Sequence, residues 1–161
     1  MTKKVIVLII AIIMSVGIVP AQFLMAQNNN VNAVNKTELI VEATNLTQTM
    51  VSRMQAEETR LQQILDKISS RNAHIKNNGI DTSPVGTMLV NCQIKIDSAN
   101  TLIRALENDL SDLPSSPYSD RLIQSIIDKS SSVDTLLKET LALEKETIVR
   151  LKTISQQVSE L

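Results

Sequence analysis

The chain has 161 residues, 16 basic against 17 acidic, a formal net charge of −1 and only one Tyr, one Phe and no Trp. That length suits a domain of ordinary size. The near-balanced charge offers no basic patch for nucleic acid or an anionic membrane surface. The scarcity of aromatic side chains argues against a stacking platform or an ordinary ligand pocket.

The chain opens MTKKVIVLIIAIIMSVGIVPAQFLMAQNNN. Lys3 and Lys4 precede an unbroken apolar run from Val5 to Met14, and Val19-Pro20-Ala21 offers small or modest residues for a signal peptidase. A basic start, a short apolar stretch and a small residue at the cut describe a secretory signal over residues 1–21. A retained anchor is the competing reading. Val5 to Ala21 is 17 residues, and tolerating Gln22 extends the run to about Ala26, just enough to span a bilayer. Pro20 and Gln22 weaken the distal half as a membrane helix and favour cleavage. Either way the lysines stay in the cytoplasm and the remainder is expected to be exported. Without Lys3 and Lys4, 14 basic residues face 17 acidic ones, so the exported part is mildly acidic. Residues 22–35, rich in asparagine, read as a flexible spacer.

From residue 36 onward the pattern is helical throughout. Asn35-Lys36-Thr37-Glu38 resembles a capping box. Beyond it Leu39, Ala43, Leu46, Met50, Met54, Leu61, Ile64, Ile68 and Ile75 recur at helical spacing, predicting a helix over about 36–77. The step Leu46–Met50–Met54 is four and four, which would interrupt a strict heptad. Asn77-Asn78-Gly79 is a stop signal. Ser83-Pro84 predicts the next start, with Ser83 as cap and Pro84 as the first helical residue. Over about 83–113, Val85, Leu89, Cys92, Ile96, Ala99, Ile103, Leu106, Leu110 and Leu113 alternate steps of four and three, a coiled-coil-like seam. Met88, Val90, Ile94, Leu102 and Ala105 widen that stripe, which predicts contact with two neighbouring helices. Pro114 ends the segment, and PSSPYSD at 114–120 reads as a turn.

The last helix is expected over about 119–160. Leu122, Ile126, Val133, Leu137, Leu141, Ile148, Leu151 and Val158 mark one face, flanked by Ile123, Ile127, Leu136, Leu143 and Ile154. Asp134 with Lys138, and Glu146 with Arg150, stand four apart with the acid first, the favourable order on an exposed face. Ser130-Ser131-Ser132 is a candidate break, because serine competes for backbone hydrogen bonds. No β-alternation competes. The expected fold is all-α: residues 36–161 forming an up-down-up bundle of three long helices behind an apolar signal or anchor helix. Helices of roughly 60, 45 and 60 Å do not match end to end. Residues 36–46 should project at one end, and about ten residues of the third helix at the other. These overhangs would expose Leu39, Ile40 and Val41, and Leu151, Ile154 and Val158, which points to self-association.

Site chemistry is sparse. Cys92 is the lone cysteine, read as a buried small hydrophobe, with an intermolecular disulfide as the alternative. His74, the lone histidine, sits near a helix carboxyl end where it favours the dipole. Met50, Met54, Met88, Cys92 and His74 include soft Cu(I) ligands. A hairpin centred near Ile80, however, sets residue 54 opposite about residue 106, more than about 20 Å along the axis from Cys92. Asn35-Lys36-Thr37 and Asn45-Leu46-Thr47 are N-glycosylation sequons, usable only in a host with the machinery. Asn35 cannot both carry a glycan and cap a helix tightly. Carboxylates are read as scattered over solvated faces. No catalytic, cofactor or metal set emerges.

The expected protein is therefore an exported, non-enzymatic bundle. It would act through helix-face contacts with a protein partner or with itself, and would touch a membrane only if the N-terminal helix is retained. Alternatives are a membrane-anchored ectodomain of a sensing or accessory complex, or a carrier of an apolar ligand. Intact mass spectrometry of the exported protein checks the opening stretch: cleavage yields a chain beginning near Gln22, whereas retention yields the full mass.

Overall fold

A computed structural model describes residues 36–112 and 120–159, with side chains described over 44–112 and 121–156. The apolar run at 5–26, the asparagine-rich spacer, Asn35, the 113–119 connection and the side chains of Leu39, Ile40, Val41 and Val158 lie outside that description. The described residues form three helices packed against one another: α1 (Lys36–Asn77), α2 (Ser83–Asp112) and α3 (Asp120–Ser159). None of these is long and apolar enough to cross a membrane.

Cross-helix hydrogen bonds set the register. Gln55 donates to Glu107 at 2.6 Å, and the amides of Gln62 and Gln93 exchange bonds at 3.0 and 3.2 Å. Partner numbers fall along α2 as they rise along α1, so the pair is antiparallel. α2 and α3 are tied in the same sense: Asp109 accepts from Ser125 and Lys129, and Lys95 pairs with Glu139. The bond between Gln55 and Glu107 reproduces the sequence expectation that residue 54 faces about residue 106.

The ends have local causes. α1 stops where Asn78 and Gly79 donate to the carbonyls of Ile75 and Lys76, and Gly79 turns the chain away with φ +82. Glycine takes that left-handed conformation without the Cβ clash other residues meet. The start of α2 departs from expectation by one residue. The first helical bond runs from Gly86 N–H to Thr82 carbonyl, so Thr82 occupies the cap and Pro84 the second helical position. Ser83 turns back instead, donating to Asp81 through its backbone N–H at 2.9 Å and its hydroxyl at 2.5 Å. The Ser83 hydroxyl and then its N–H hold the Asp81 carboxyl below its ordinary range.

The seam of α2 is buried as expected at Val85, Cys92, Ile96, Ala99, Ile103, Leu106 and Leu110. Two expected members of its widened stripe are not: Val90 and Ile94 are 59% and 56% exposed. α2 does contact both neighbours, but through residues nearer the seam. In α1 the expected interruption is absent. Val51 is buried beside Met50, and the step from Val51 to Met54 restores a three–four rhythm through Leu61, Leu65, Ile68 and Ile75. The half-buried Glu58 and Asn72 fill its remaining places.

α3 runs unbroken through Ser130-Ser131-Ser132. Ser130 and Ser132 donate to the carbonyls of Ile126 and Asp128, bonds that coexist with the helical ladder. Its expected apolar overhang is also corrected. Leu151 is only 3% exposed and packs with Ile68, Ile75 and Val85, while Ile154 is half-buried against the same cluster. The end of α1 and the 78–82 connection, with Ile80, extend far enough to cover them. Asp134 and Lys138 form the expected ion pair at 2.7 Å.

Truncating Leu106, which has no exposed surface, to alanine should cost about 2–5 kcal/mol of unfolding free energy. Val90→Ala, on the outer face, should change it by less than about 0.5 kcal/mol. Urea midpoints of the two variants check this contrast.

Candidate functional site

The inward face of α3 carries the only concentration of buried polar side chains on any one helix among the described residues. Ile123, Ile126, Ser130, Val133, Leu137, Thr140, Glu144, Thr147 and Leu151 follow one another in strict three–four steps, and all are buried. Four of these positions are polar. Three satisfy themselves within the helix: Ser130, Thr140 and Thr147 donate to the carbonyls four residues back at 2.6, 2.7 and 2.6 Å. A hydroxyl bonded this way presents mainly its carbon atoms to the neighbouring helices, although that of Thr147 also meets the Cys92 thiol of α2.

Glu144 has no such recourse. It is 1% exposed, and neither carboxyl oxygen has a hydrogen-bond partner. Glutamate is a good helix former, so nothing local opposes its place in α3. The cost arises on burial, when a carboxylate leaves water without acquiring donors. Burial pushes its pKa from 4.5 up to about 7; the negative Glu57 of α1 adds to the rise, and Arg60 opposes it. The expectation that carboxylates occupy solvated faces fails here. Apolar counting skips Glu144; the signal that could have found it is the three–four frame running from Ile123 to Leu151.

The layer is completed by Cys92 of α2. Its thiol has no exposed surface. Burial first, then the Glu144 charge, raise its pKa to about 11, while the Thr147 hydroxyl and Lys95 act in the opposite direction. A thiol so placed is a poor nucleophile and meets another thiol only if the bundle opens. Chemically, the layer can hold a proton near neutral pH, and among the described residues the packed helices cover it.

Two surface clefts lie elsewhere. One of about 700 Å³ at the end of α1 is lined by Lys67, Arg71, His74, Asn78, Ile80 and Ser155. His74 therefore sits exposed beside the helix terminus, as expected, and far from the buried layer in sequence and along α1. The second, about 240 Å³, lies between α1 and α3, floored by Met50, Met54, Leu137 and Leu141 and edged by Arg53, Glu57, Asp134 and Lys138. Met50 and Met54 are core residues, and Met88 is half-buried. No group of three or more His, Cys, Asp or Glu among the described residues could hold a metal ion. Of the sequons, Asn45 is exposed on α1.

Compared with protein-family models, curated proteins and solved structures, the chain matches none.

The self-bonded hydroxyls should matter little to stability. Thr140→Val keeps the side chain's shape and strands no partner, so unfolding free energy at pH 7 should move by less than about 1 kcal/mol. A urea midpoint shift larger than that would show a second partner for the hydroxyl.

Proposed function

We propose that the chain is an exported, non-enzymatic protein whose up-down-up bundle, with coiled-coil-like seams, serves a structural or adaptor role through helix-face contact with another protein. The observation that carries this reading is the outer face of α2. Val90 and Ile94 stand one turn apart, both more than half exposed, opposite the buried seam of the same helix. Val149 of α3, at 63%, is the third large apolar side chain so exposed among the described residues. Single exposed apolar residues are ordinary. A pair at i and i+4 forms one ridge, the unit by which helices pack.

Export rests on the opening apolar stretch with its two lysines. Retention of residues 5–26 would make the same bundle an anchored ectodomain, with the same contact surface presented outside the cytoplasm.

The test is site-specific photocrosslinking in the source organism. A photoreactive residue in place of Ile94 should give a discrete protein adduct, either heteromeric or with a second copy of the chain. That adduct should weaken at least about fivefold when Val90 is changed to Asp, because burying apolar surface drives such contacts. A probe at position 94 that yields no discrete adduct would overturn the assigned contact face.

A further inference from the structure

We infer that Glu144 is a proton-dependent latch: the three helices close fully over it while its carboxyl is neutral, and its ionisation loosens the layer it shares with Cys92. The inference concerns the inner face of α3 and stands whether or not the outer face of α2 meets a partner.

The geometry carries it. Glu144 occupies a seam position between two apolar clusters. On one side are Leu61, Cys92, Ile96 and Leu137; on the other are Ile68, Val85 and Leu151. With 1% of its surface exposed and both oxygens without a donor, the carboxyl has nothing to stabilise a negative charge locally. The charged surroundings do not rescue it. From α1 come Glu57, which opposes ionisation, and Arg60, which favours it but is already paired with Glu57 at 3.4 Å. From α2 come the Cys92 thiol and, within electrostatic reach of that thiol, Lys95, which is engaged with Glu139 of α3. On α3 itself the buried neighbours Thr140 and Thr147 have turned their hydroxyls to backbone carbonyls. A neutral carboxyl suits this layer better than a carboxylate.

The direction of the effect follows from linkage. Burial holds the folded-state titration of Glu144 near 7, above its ordinary 4.5. Between those values the folded chain therefore binds a proton that the unfolded chain has released. The stabilisation is complete below about 4.5 and is lost as pH rises through about 7.

The experiment uses the full-length chain and follows urea unfolding, together with the protection of Cys92 from alkylation relative to the unfolded chain, from pH 5 to 8. The unfolding constant should rise roughly a hundredfold over that range. Glu144→Gln, which cannot ionise, should remove most of that slope, and Cys92 protection should fall with pH only when Glu144 is present. A Glu144→Gln slope equal to that of the unsubstituted chain would overturn the inference. If that variant does not fold, the side-chain carboxyl of Glu144 in the unsubstituted chain is titrated directly by carbon NMR. A midpoint above about 6 supports the latch, and a midpoint in the ordinary carboxylate range near 4.3 overturns it.

Discussion

Burial of the α2 seam is the constraint on which the rest of this bundle depends. α2 is joined to α1 by the short 78–82 connection and packs on both other helices; α1 and α3 touch each other less than either touches α2. Its inward residues therefore serve two interfaces at once. Val85, Cys92, Ala99 and Leu106 have no exposed surface. Close packing there leaves little freedom: a larger side chain at Ala99 would push a neighbour aside, and a smaller one at Leu106 would leave a void. Where α1 and α3 face each other without α2 between them, packing is looser, and the 240 Å³ groove over Met50, Met54, Leu137 and Leu141 lies there.

Given that frame, polar seam residues can be tolerated only on terms set by hydrogen bonding. α3 presents nine successive seam positions from Ile123 to Leu151, and the polar ones differ in kind. Serine and threonine close their own bonds to the preceding turn, so burying them disturbs neither the helix nor its neighbours. Glutamate cannot reach back in that way and must find a donor, stay neutral or weaken the layer. The same α3 therefore holds three polar groups whose burial is insensitive to solution conditions and one whose burial is not.

Much of this was legible in the residues. The break between α1 and α2 lies close to where Asn77-Asn78-Gly79 and Ser83-Pro84 place it, because those signals act locally and need no tertiary knowledge. The α2 seam could also be read off, since every member is apolar or small. Reading fails where position and polarity disagree. Val90 and Ile94 are apolar but face outward, and Glu144, Thr140 and Thr147 are polar but face inward. Periodicity judged by hydrophobicity alone finds Ile126, Val133, Leu137 and Leu151 of the α3 face, but takes Leu122, Leu141 and Ile148 where Ile123, Thr140 and Thr147 are the buried residues. The Leu151 end was misjudged for another reason. Comparing lengths of helices two at a time ignores that α1 and the Ile80 connection continue alongside α3.

Inner and outer features meet on a single turn of α2. Cys92, which closes over Glu144, lies between Val90 and Ile94 in sequence, with the thiol inward and the two β-branched side chains outward. A helix turn is rigid on the scale of side-chain packing, so displacement of Cys92 from the core carries that outer ridge with it. Were a partner to seat on that ridge, binding and protonation would be linked: a contact that favours the closed position of this turn would also favour the neutral carboxyl beneath it, and the influence would be reciprocal. A fully apolar seam at position 144 would close over α2 equally well but would leave that turn indifferent to pH. The buried carboxyl thus lowers stability as it ionises, and any loosening of its layer would reach the α2 ridge through this turn.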